Sequence, residues 1–145
     1  MAEQSTQLQR EYSAGGIVYK QEAGGIFILC VKPVKSQRTP ENPHWGFPKG
    51  HIGDHIADEQ ADEAAVREVR EEGGVEAKII QKLGDIEYSY QWAERNIVKT
   101  VAFYLMEYVA GYPADHDHEI ESAEWLYIDD VPARIFWPGD REIFD

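Results

Sequence analysis

Neither a disulfide bond nor a membrane-spanning helix is expected from this sequence. Cys30 is the only cysteine among the 145 residues, so the chain cannot close a disulfide on itself. No apolar run approaches the roughly 20 residues that a membrane-spanning helix needs, and no signal-like apolar segment follows Met1. Because disulfides are typical of oxidising compartments, a single cysteine favours a reducing one. We therefore expect a cytoplasmic location and no membrane contact.

Basic residues are also few. Lysines and arginines total 14 against 27 aspartates and glutamates, and the formal net charge is -13. A protein that binds nucleic acids in general is expected to have a basic face, so the composition argues against that function. An anionic small molecule would need a local basic loop or bound cations to overcome the field of the whole protein.

Length and composition are typical of one globular domain. A chain of 145 residues, 43% of them hydrophobic, can bury roughly two-thirds of its unfolded surface on folding. The polar segment MAEQSTQLQR, residues 1–10, is expected to be flexible. Residues 11–145 are expected to form a single domain.

Hydrophobic periodicity predicts one long helix among several strands. The helix is expected from about Asp58, its candidate N-cap, to Glu72. A terminal helix is expected after Asp129 or Asp130, with Pro132 in its first turn. The predicted strands are SAGGIVYK and GIFILCVK, joined as a hairpin, then VEAKIIQKLGDIEYSY, NIVKTVAFYLMEYVAG and AEWLYID. Strands on both sides of one central helix, with a closing helix, indicate an α/β sandwich.

Three glutamates crowd the end of the predicted helix, where residues 67–75 read REVREEGGV. At 100° per residue, Glu71 and Glu72 lie about 60° and 40° on either side of Glu68. Side chains at these spacings are roughly 5–6 Å apart. Acidic groups are disfavoured at a helix C-terminus, which carries roughly half a negative charge. The position of these carboxylates therefore requires an explanation.

Two explanations fit this spacing. Exposed like charges three or four residues apart repel by only about 0.2–0.5 kcal/mol per pair, so an acidic surface helix in an acidic protein is one explanation. A hard divalent cation is the other, because Mg²⁺ prefers carboxylate oxygens and fills its remaining positions with water and substrate phosphates. The cluster alone favours the surface helix, whereas the residues around it favour the cation.

A longer pattern around the cluster resembles the Nudix box. Seven residues separate Glu59 from Arg67, and from Arg67 the chain reads Arg-Glu-aliphatic-x-Glu-Glu-x-Gly-aliphatic. The box has the same residue types at the same spacing. Together with the strands on either side, the resemblance extends from about Tyr12 to Phe144.

The glycine that opens the box is where this sequence departs from the family pattern. The family places it five residues before the first glutamate, often in a Pro-x-Gly turn. Gly53 satisfies that count, but Gly50 ends the Pro48-Lys49-Gly50 turn. We take Gly50 as the structural equivalent, with a three-residue insertion after it. The loop before the helix is therefore expected to differ from the family's.

The resemblance implies a Nudix-type α/β/α sandwich with a mixed β-sheet between helices. It also implies a Mg²⁺- or Mn²⁺-dependent hydrolase of a nucleoside diphosphate linked to another group. Cations between protein and phosphates would let an acidic chain hold a polyphosphate. Arg67 and Glu59 would pair and orient the helix end, the alternative being an ordinary surface ion pair. The implied metal ligands are the carbonyl of Gly50 and the carboxylates of Glu68, Glu71 and Glu72, one of which would act as the water-activating base.

The segment HWGFPKGH, residues 44–51, resembles the diadenosine-tetraphosphate hydrolase branch of the family, as does the later KTVAFYLMEY. This implies a dinucleoside polyphosphate as the small-molecule partner. His44 and Lys49 would contact phosphates, unless they are a structural hydrogen bonder and a solvated loop lysine. Phe103 would stack on a base or belong to the core. Glu119 would be a further metal ligand or base, or a solvated loop residue.

Other functions stay open at this stage. Within the same linkage class the substrate could be a 5′-triphosphate RNA end, a nucleoside triphosphate, ADP-ribose or a diphosphoinositol phosphate. A non-catalytic domain that senses nucleotides is a different class, and the three retained glutamates argue against it. The sequence predicts nothing about oligomeric state.

Overall fold

The computed structural model describes residues 8–34, 44–53, 58–92, 94–135, 140 and 143–144. Two helices and six strands have both ends in these ranges, together with two short 3-10 turns at Pro113–Asp115 and Ile128–Asp130, and residues 140, 143 and 144 are also helical. The elements in chain order are β1 (Leu8–Glu22), β2 (Gly25–Pro33), β3 (Lys49–His51), α1 (Ala61–Gly73), β4 (Val75–Trp92), β5 (Arg95–Gly111), β6 (Ile120–Tyr127) and α2 (Val131–Arg134). None of the described helices is long and apolar enough to cross a membrane.

The six strands form one mixed sheet in the order β4-β5-β1-β2-β6, with β3 paired to β1. The pairing of β1 with β5 is parallel, from Leu8↔Asn96 to Tyr19↔Glu107. The other pairings are antiparallel. The predicted hairpin between β1 and β2 is present, with Glu22 opposite Gly25. The short strand β3 pairs with β1 through Ser13↔His51 and Gly15↔Lys49.

Both faces of the sheet are covered by apolar side chains, as expected of a sandwich. On one face, α1 contributes Ala64, Ala65 and Val69 to a core shared with the sheet. The alanines are small, which lets the helix approach the strands closely. On the other face the core contains Phe47, Val101 and Phe103 from the turn and sheet, and it is closed by the C-terminal residues Val131, Ile135, Ile143 and Phe144. The predicted α/β sandwich with a mixed sheet is therefore confirmed.

Helix α1 begins later than the sequence indicated. Asp58, the expected N-cap, has a left-handed φ of 62° and lies outside the helix, so that prediction is wrong. Gln60 is the N-cap with extended backbone angles. Its backbone N–H donates to Glu63 Oε1 at 2.9 Å, which satisfies a donor that helix geometry leaves unpaired. At the other end of the chain, α2 does contain Pro132 in its first turn, but Asp130 precedes it without a side-chain capping bond.

The N-terminal boundary also differs from the expectation. Strand β1 starts at Leu8, so the last three residues of the segment expected to be flexible are paired with β5. Arg95 donates to Gln9 Oε1 at 3.1 Å across this pairing. Residues 1–7 lie outside the described residues.

Candidate active site

The C-terminal end of α1 is closed by glycine for a steric reason. Gly74 has φ 76°, and its N–H donates to the Arg70 carbonyl at 3.0 Å. A Cβ at Gly74 would overlap the carbonyl oxygen of Tyr112. The loop that follows β5 is tied to the same helix end, because Asp117 N–H donates to the Glu71 carbonyl at 2.8 Å. The last turns of α1 therefore lie against the loop that contains Glu119.

Arg67 is the centre of the site's hydrogen bonding and is only 4% exposed. It binds Glu59 bidentately, with Nε to Oε2 at 2.7 Å and Nη2 to Oε1 at 3.0 Å. Its Nη1 donates to Glu68 Oε2 at 2.8 Å and to Glu71 Oε1 at 3.2 Å. Its Nη2 also donates to the His51 carbonyl at 3.0 Å. The Arg67–Glu59 pairing implied by the resemblance is present, and it is buried rather than on the surface.

Glu59 is held in turn from the loop before the helix. Gly53 N–H donates to Glu59 Oε1 at 3.0 Å, and Gly53 has a left-handed φ of 83°. The hydrogen bonds that Arg67 donates to Glu59, ahead of the charge of Glu68, raise the pKa of the Arg67 guanidinium, and burial opposes them. Arg67 is therefore permanently charged, and its N–H groups are held by Glu59 on one side and by Glu68 and Glu71 on the other.

Gly50 lies directly against the Glu68 carboxylate. A Cβ at Gly50 would overlap that carboxylate, whereas a Cβ at Gly53 would meet open space. The two candidate box glycines are thus required for different reasons: Gly50 for close approach and Gly53 for its positive φ. The contact with Glu68 supports Gly50 as the residue next to the carboxylate cluster.

The carboxylates of Glu68 and Glu72 are held in surroundings that disfavour their charge. Burial raises the pKa of Glu68, and the charges of Glu71 and Glu119 add to this against the opposing Arg67. Burial likewise raises the pKa of Glu72 to about 8. One Glu72 oxygen, Oε1, accepts a hydrogen bond from the Lys49 backbone N–H at 3.1 Å. Without a further cation, burial therefore favours the protonated form of Glu72.

The donor chemistry of this cluster fits a hard divalent cation. All of its potential metal-ligand atoms are carboxylate or carbonyl oxygens, which Mg²⁺ and Mn²⁺ accept. Burial disfavours the charged forms of Glu68 and Glu72, and a bound cation would offset this effect. Among the residues that the structure describes, however, no three acidic, histidine or cysteine side chains are arranged to enclose an ion. The Arg67 guanidinium bridges Glu68 and Glu71 instead. Holding a cation would require these two carboxylates to turn away from Nη1.

Glu119 is exposed and lies close enough for its charge to raise the pKa of Glu68. Its backbone N–H donates to Asp117 Oδ1 at 3.1 Å, and its carbonyl accepts from Val34 N–H at 3.0 Å. The structure thus brings Glu119 from a distant loop to the same side of the molecule as the helix carboxylates. Its role as a ligand or base stays a prediction.

Lys49 is not the solvated loop lysine that was one alternative. Its side chain is 20% exposed, and Nζ lies 3.4 Å from Asp140 Oδ2. Burial acts against its charge, yet the pKa of Lys49 is raised, because the charges of Asp140 and, more weakly, Glu72 favour the ammonium. Asp140 was missed by the sequence reasoning, and no local signal marks it, since 91 residues separate it from Lys49.

For Phe103 the structure supports the core interpretation over base stacking. The side chain is 0% exposed, and its ring meets Phe47 edge-on with centroids 6.1 Å apart. A base could not reach the face of this ring without opening the core, so the assignment of Phe103 as a substrate-binding residue is corrected. His44 is half-buried, and its contact with phosphate stays a prediction.

A polar cluster that the sequence did not indicate lies across β1, β3 and β4. Tyr90 Oη donates to Glu11 Oε1 at 2.9 Å, and His51 Nε2 lies 3.5 Å from the same oxygen. Tyr88 stands beside Tyr90 with ring centroids 6.4 Å apart and is 39% exposed. Within the part of the chain that the structure describes, the buried Ser13 hydroxyl has no hydrogen-bond partner. Glu11 and Tyr90 are 79 residues apart, so spacing could not reveal this contact.

The fold and this arrangement of glycine, arginine and helix carboxylates define a Nudix-type α/β sandwich. The chain belongs to the NUDIX family, because the family model described as NUDIX domain matches residues 9–145. A protein of Mycobacterium tuberculosis (strain CDC 1551 / Oshkosh), named as a mutator protein, MutT4, is 35% identical over 99 residues. That match covers 68% of this chain and 39% of the relative, so the chain spans well under half of that relative's length.

Solved structures share the fold at low identity. A C. elegans Ap4A hydrolase in a binary complex is similar with a TM-score of 0.66 and 19% identity, covering 92% of each chain. The NUDIX domain of Shewanella oneidensis NrtR, complexed with ADP ribose, is similar with a TM-score of 0.68 and 19% identity. That match covers 96% of this chain and 85% of the other. At such identities the likeness concerns the fold.

Proposed function

We propose that this protein is a metal-dependent pyrophosphohydrolase that cleaves a nucleoside diphosphate linked to another group. Dinucleoside polyphosphates such as diadenosine tetraphosphate are the substrates that its sequence favours. The observation that carries the proposal is a carboxylate cluster on the last turns of α1: Glu68 lies against Gly50, Glu68 and Glu71 are bonded to the buried Arg67, and Glu72 accepts from the Lys49 N–H. Family membership supports the class of reaction.

The carboxylates of Glu68, Glu71 and Glu72 and the carbonyl of Gly50 would hold Mg²⁺ or Mn²⁺, with Glu119 as a further ligand. Bound there, such a cation neutralises phosphates and makes a water nucleophilic. Phosphoryl transfer needs mainly positioning and charge stabilisation, so no covalent protein group is required. The proton of the attacking water would pass to a carboxylate of this cluster, which lies within hydrogen-bond reach of a water held by the cation.

Arg67 and Glu59 act as a support for the ligand-bearing turn. The bidentate bond to Glu59 and the bond to the His51 carbonyl use Nε and Nη2. Only Nη1 contacts Glu68 and Glu71. These carboxylates can therefore turn toward a cation while Arg67 keeps its place, which leaves the helix end fixed.

The substrate assignment rests on the sequence HWGFPKGH, which lies beside the carboxylates in the structure. With Phe103 buried, we take Tyr88 as the ring that would meet a base, because it is 39% exposed and lies near Lys49. Stacking of a base on an exposed ring contributes about 1–3 kcal/mol and is tolerant of base identity. Lys49 and His44 would contact the phosphate chain.

A substrate panel tests this proposal. Purified protein with Mg²⁺ is offered diadenosine tetraphosphate, a nucleoside triphosphate, ADP-ribose, a 5′-triphosphate RNA and a diphosphoinositol phosphate, with products identified by mass. We expect the dinucleoside polyphosphate to have the highest kcat/KM. If only another compound of the panel is hydrolysed, that compound replaces the dinucleoside polyphosphate as the proposed substrate. If none is hydrolysed, the assignment of this protein as a hydrolase is overturned.

Matched variants locate the chemistry. Glu71→Gln and Glu72→Gln should each lower kcat by several powers of ten, where each tenfold corresponds to about 1.4 kcal/mol of barrier. Glu76→Gln is the control, because Glu76 is exposed just beyond the helix and pairs only loosely with Arg70 at 3.5 Å. Near wild-type rates in both site variants would show that the site lies elsewhere.

A nucleotide-sensing domain without catalysis is the alternative from another class. Calorimetry with ADP-ribose and diadenosine tetraphosphate in Mg²⁺, followed by mass analysis of the same samples, distinguishes such a domain from a hydrolase. Binding with no product over many hours would support sensing. Retention of all three helix carboxylates favours catalysis.

A further inference from the structure

Asp140 is a buried carboxylate that the proposed chemistry does not use. It is 1% exposed and lies shortly before Ile143 and Phe144, which close the core. Its Oδ2 lies 3.4 Å from Lys49 Nζ. A buried carboxylate that loses its counter-charge destabilises a protein strongly, so this pair is held together in the folded state.

Lys49 lies between two carboxylates. Its backbone N–H donates to Glu72 Oε1 at 3.1 Å, while its side chain extends to Asp140. The lysine side chain is a flexible four-carbon stem, so an ammonium released from Asp140 would lie within reach of Glu72. An ion pair there would place a positive charge on an oxygen that a divalent cation needs.

We propose that Asp140 is a positioning residue that holds the Lys49 ammonium away from Glu72, so that Glu72 stays available to a divalent cation. Asp140 thus acts through Lys49 and touches neither cation nor substrate. This inference rests on the proposed function only in assuming that the helix carboxylates bind a divalent cation.

A double-mutant cycle read by cation affinity tests the inference. Mn²⁺ binding to the full chain is measured by calorimetry for wild type, Asp140→Asn, Lys49→Met and the double variant, with no substrate present. Asp140→Asn should raise the Kd for Mn²⁺ about tenfold, equivalent to about 1.4 kcal/mol. The double variant should return to within about twofold of Lys49→Met, because the released ammonium is then absent.

The cycle separates positioning from a simple loss of negative charge. If Asp140 acts only through its own field, Asp140→Asn weakens binding equally with and without Lys49, and the additive result overturns the inference. An unchanged Kd in Asp140→Asn also overturns it. Wild-type protein that binds no Mn²⁺ would overturn the proposed metal site and this inference together. Either of the two results above, obtained with wild type that binds Mn²⁺, overturns the inference alone, so the two failures are distinguishable.

A structural measurement on wild type covers the case in which Asp140→Asn does not fold. In crystals soaked with Mn²⁺, Lys49 Nζ should stay within the roughly 4 Å of an ion pair with Asp140, while a Glu72 oxygen contacts the ion. An ammonium found on Glu72 with Asp140 left unpaired would contradict the proposal.

Discussion

Arg67 and Glu59 form a buried bidentate ion pair, with Nε 2.7 Å from Oε2 and Nη2 3.0 Å from Oε1. Glu59 lies before α1 begins, and Arg67 lies on its second turn. The pair therefore joins the chain that enters the helix to the helix itself. Because the same guanidinium contacts Glu68 and Glu71, the entry loop and the carboxylate cluster share one support.

Breaking this pair should destabilise the fold. Glu59→Gln removes the counter-charge of a buried arginine, and such changes cost about 3–5 kcal/mol. Thermal or urea unfolding should show that loss. Glu76→Gln removes an exposed pair with Arg70 and should cost less than about 1 kcal/mol. Equal effects of the two substitutions would show that Arg67 does not depend on Glu59.

The two candidate box glycines should respond differently to alanine. Gly50→Ala places a methyl group in the space of the Glu68 carboxylate, so Mn²⁺ affinity and kcat/KM should fall at least tenfold. Gly53→Ala meets open space and should cost only about 1–2 kcal/mol of stability, because its φ of 83° is left-handed. Cation titration and unfolding curves of both variants check this. Full cation affinity in Gly50→Ala would remove Gly50 from the site.

The stability of the metal-free protein should fall as the pH rises. Burial raises the pKa of Glu72 from 4.5 to about 8, so the folded state holds this proton more tightly than the unfolded chain does. The resulting stabilisation is fully present below about pH 4.5 and is lost as the pH rises through about 8. Urea unfolding in a chelator should show this slope, and Glu72→Gln should flatten it. An unchanged slope in that variant would assign the effect to other groups.

Phe103 and Tyr88 should have separable effects. Phe103→Leu alters a core side chain that is 0% exposed, so it should cost about 0.5–3 kcal/mol of stability and leave KM nearly unchanged. Tyr88→Ala removes a ring that is 39% exposed and should raise KM about fivefold to a hundredfold, the equivalent of one lost stacking contact. Steady-state kinetics and melting curves distinguish them. A large KM change in Phe103→Leu with normal stability would restore Phe103 as a base contact.

Local features of the fold could be predicted well. The helix carboxylates, the closing glycines and the β1–β2 hairpin depend on residues a few positions apart, where helix and strand periodicities determine direction. The start of α1 could not be placed, because residue type favours Asp58 as the N-cap, whereas in the structure Asp58 has a left-handed φ and Gln60 caps the helix through its capping box with Glu63. Likewise, the tertiary structure decides that Gly50, and not Gly53, meets Glu68.

The amino-acid sequence by itself determined the family and the presence of three carboxylates on one helix face, since both follow from spacing within a single segment. Only the tertiary structure decided that Phe103 is buried, that Lys49 pairs with Asp140, and that Arg67 bridges two of those carboxylates. Spacing along the chain determines proximity inside one element. Contacts between elements depend on strand register and on how the covering segments pack, which are properties of the whole fold.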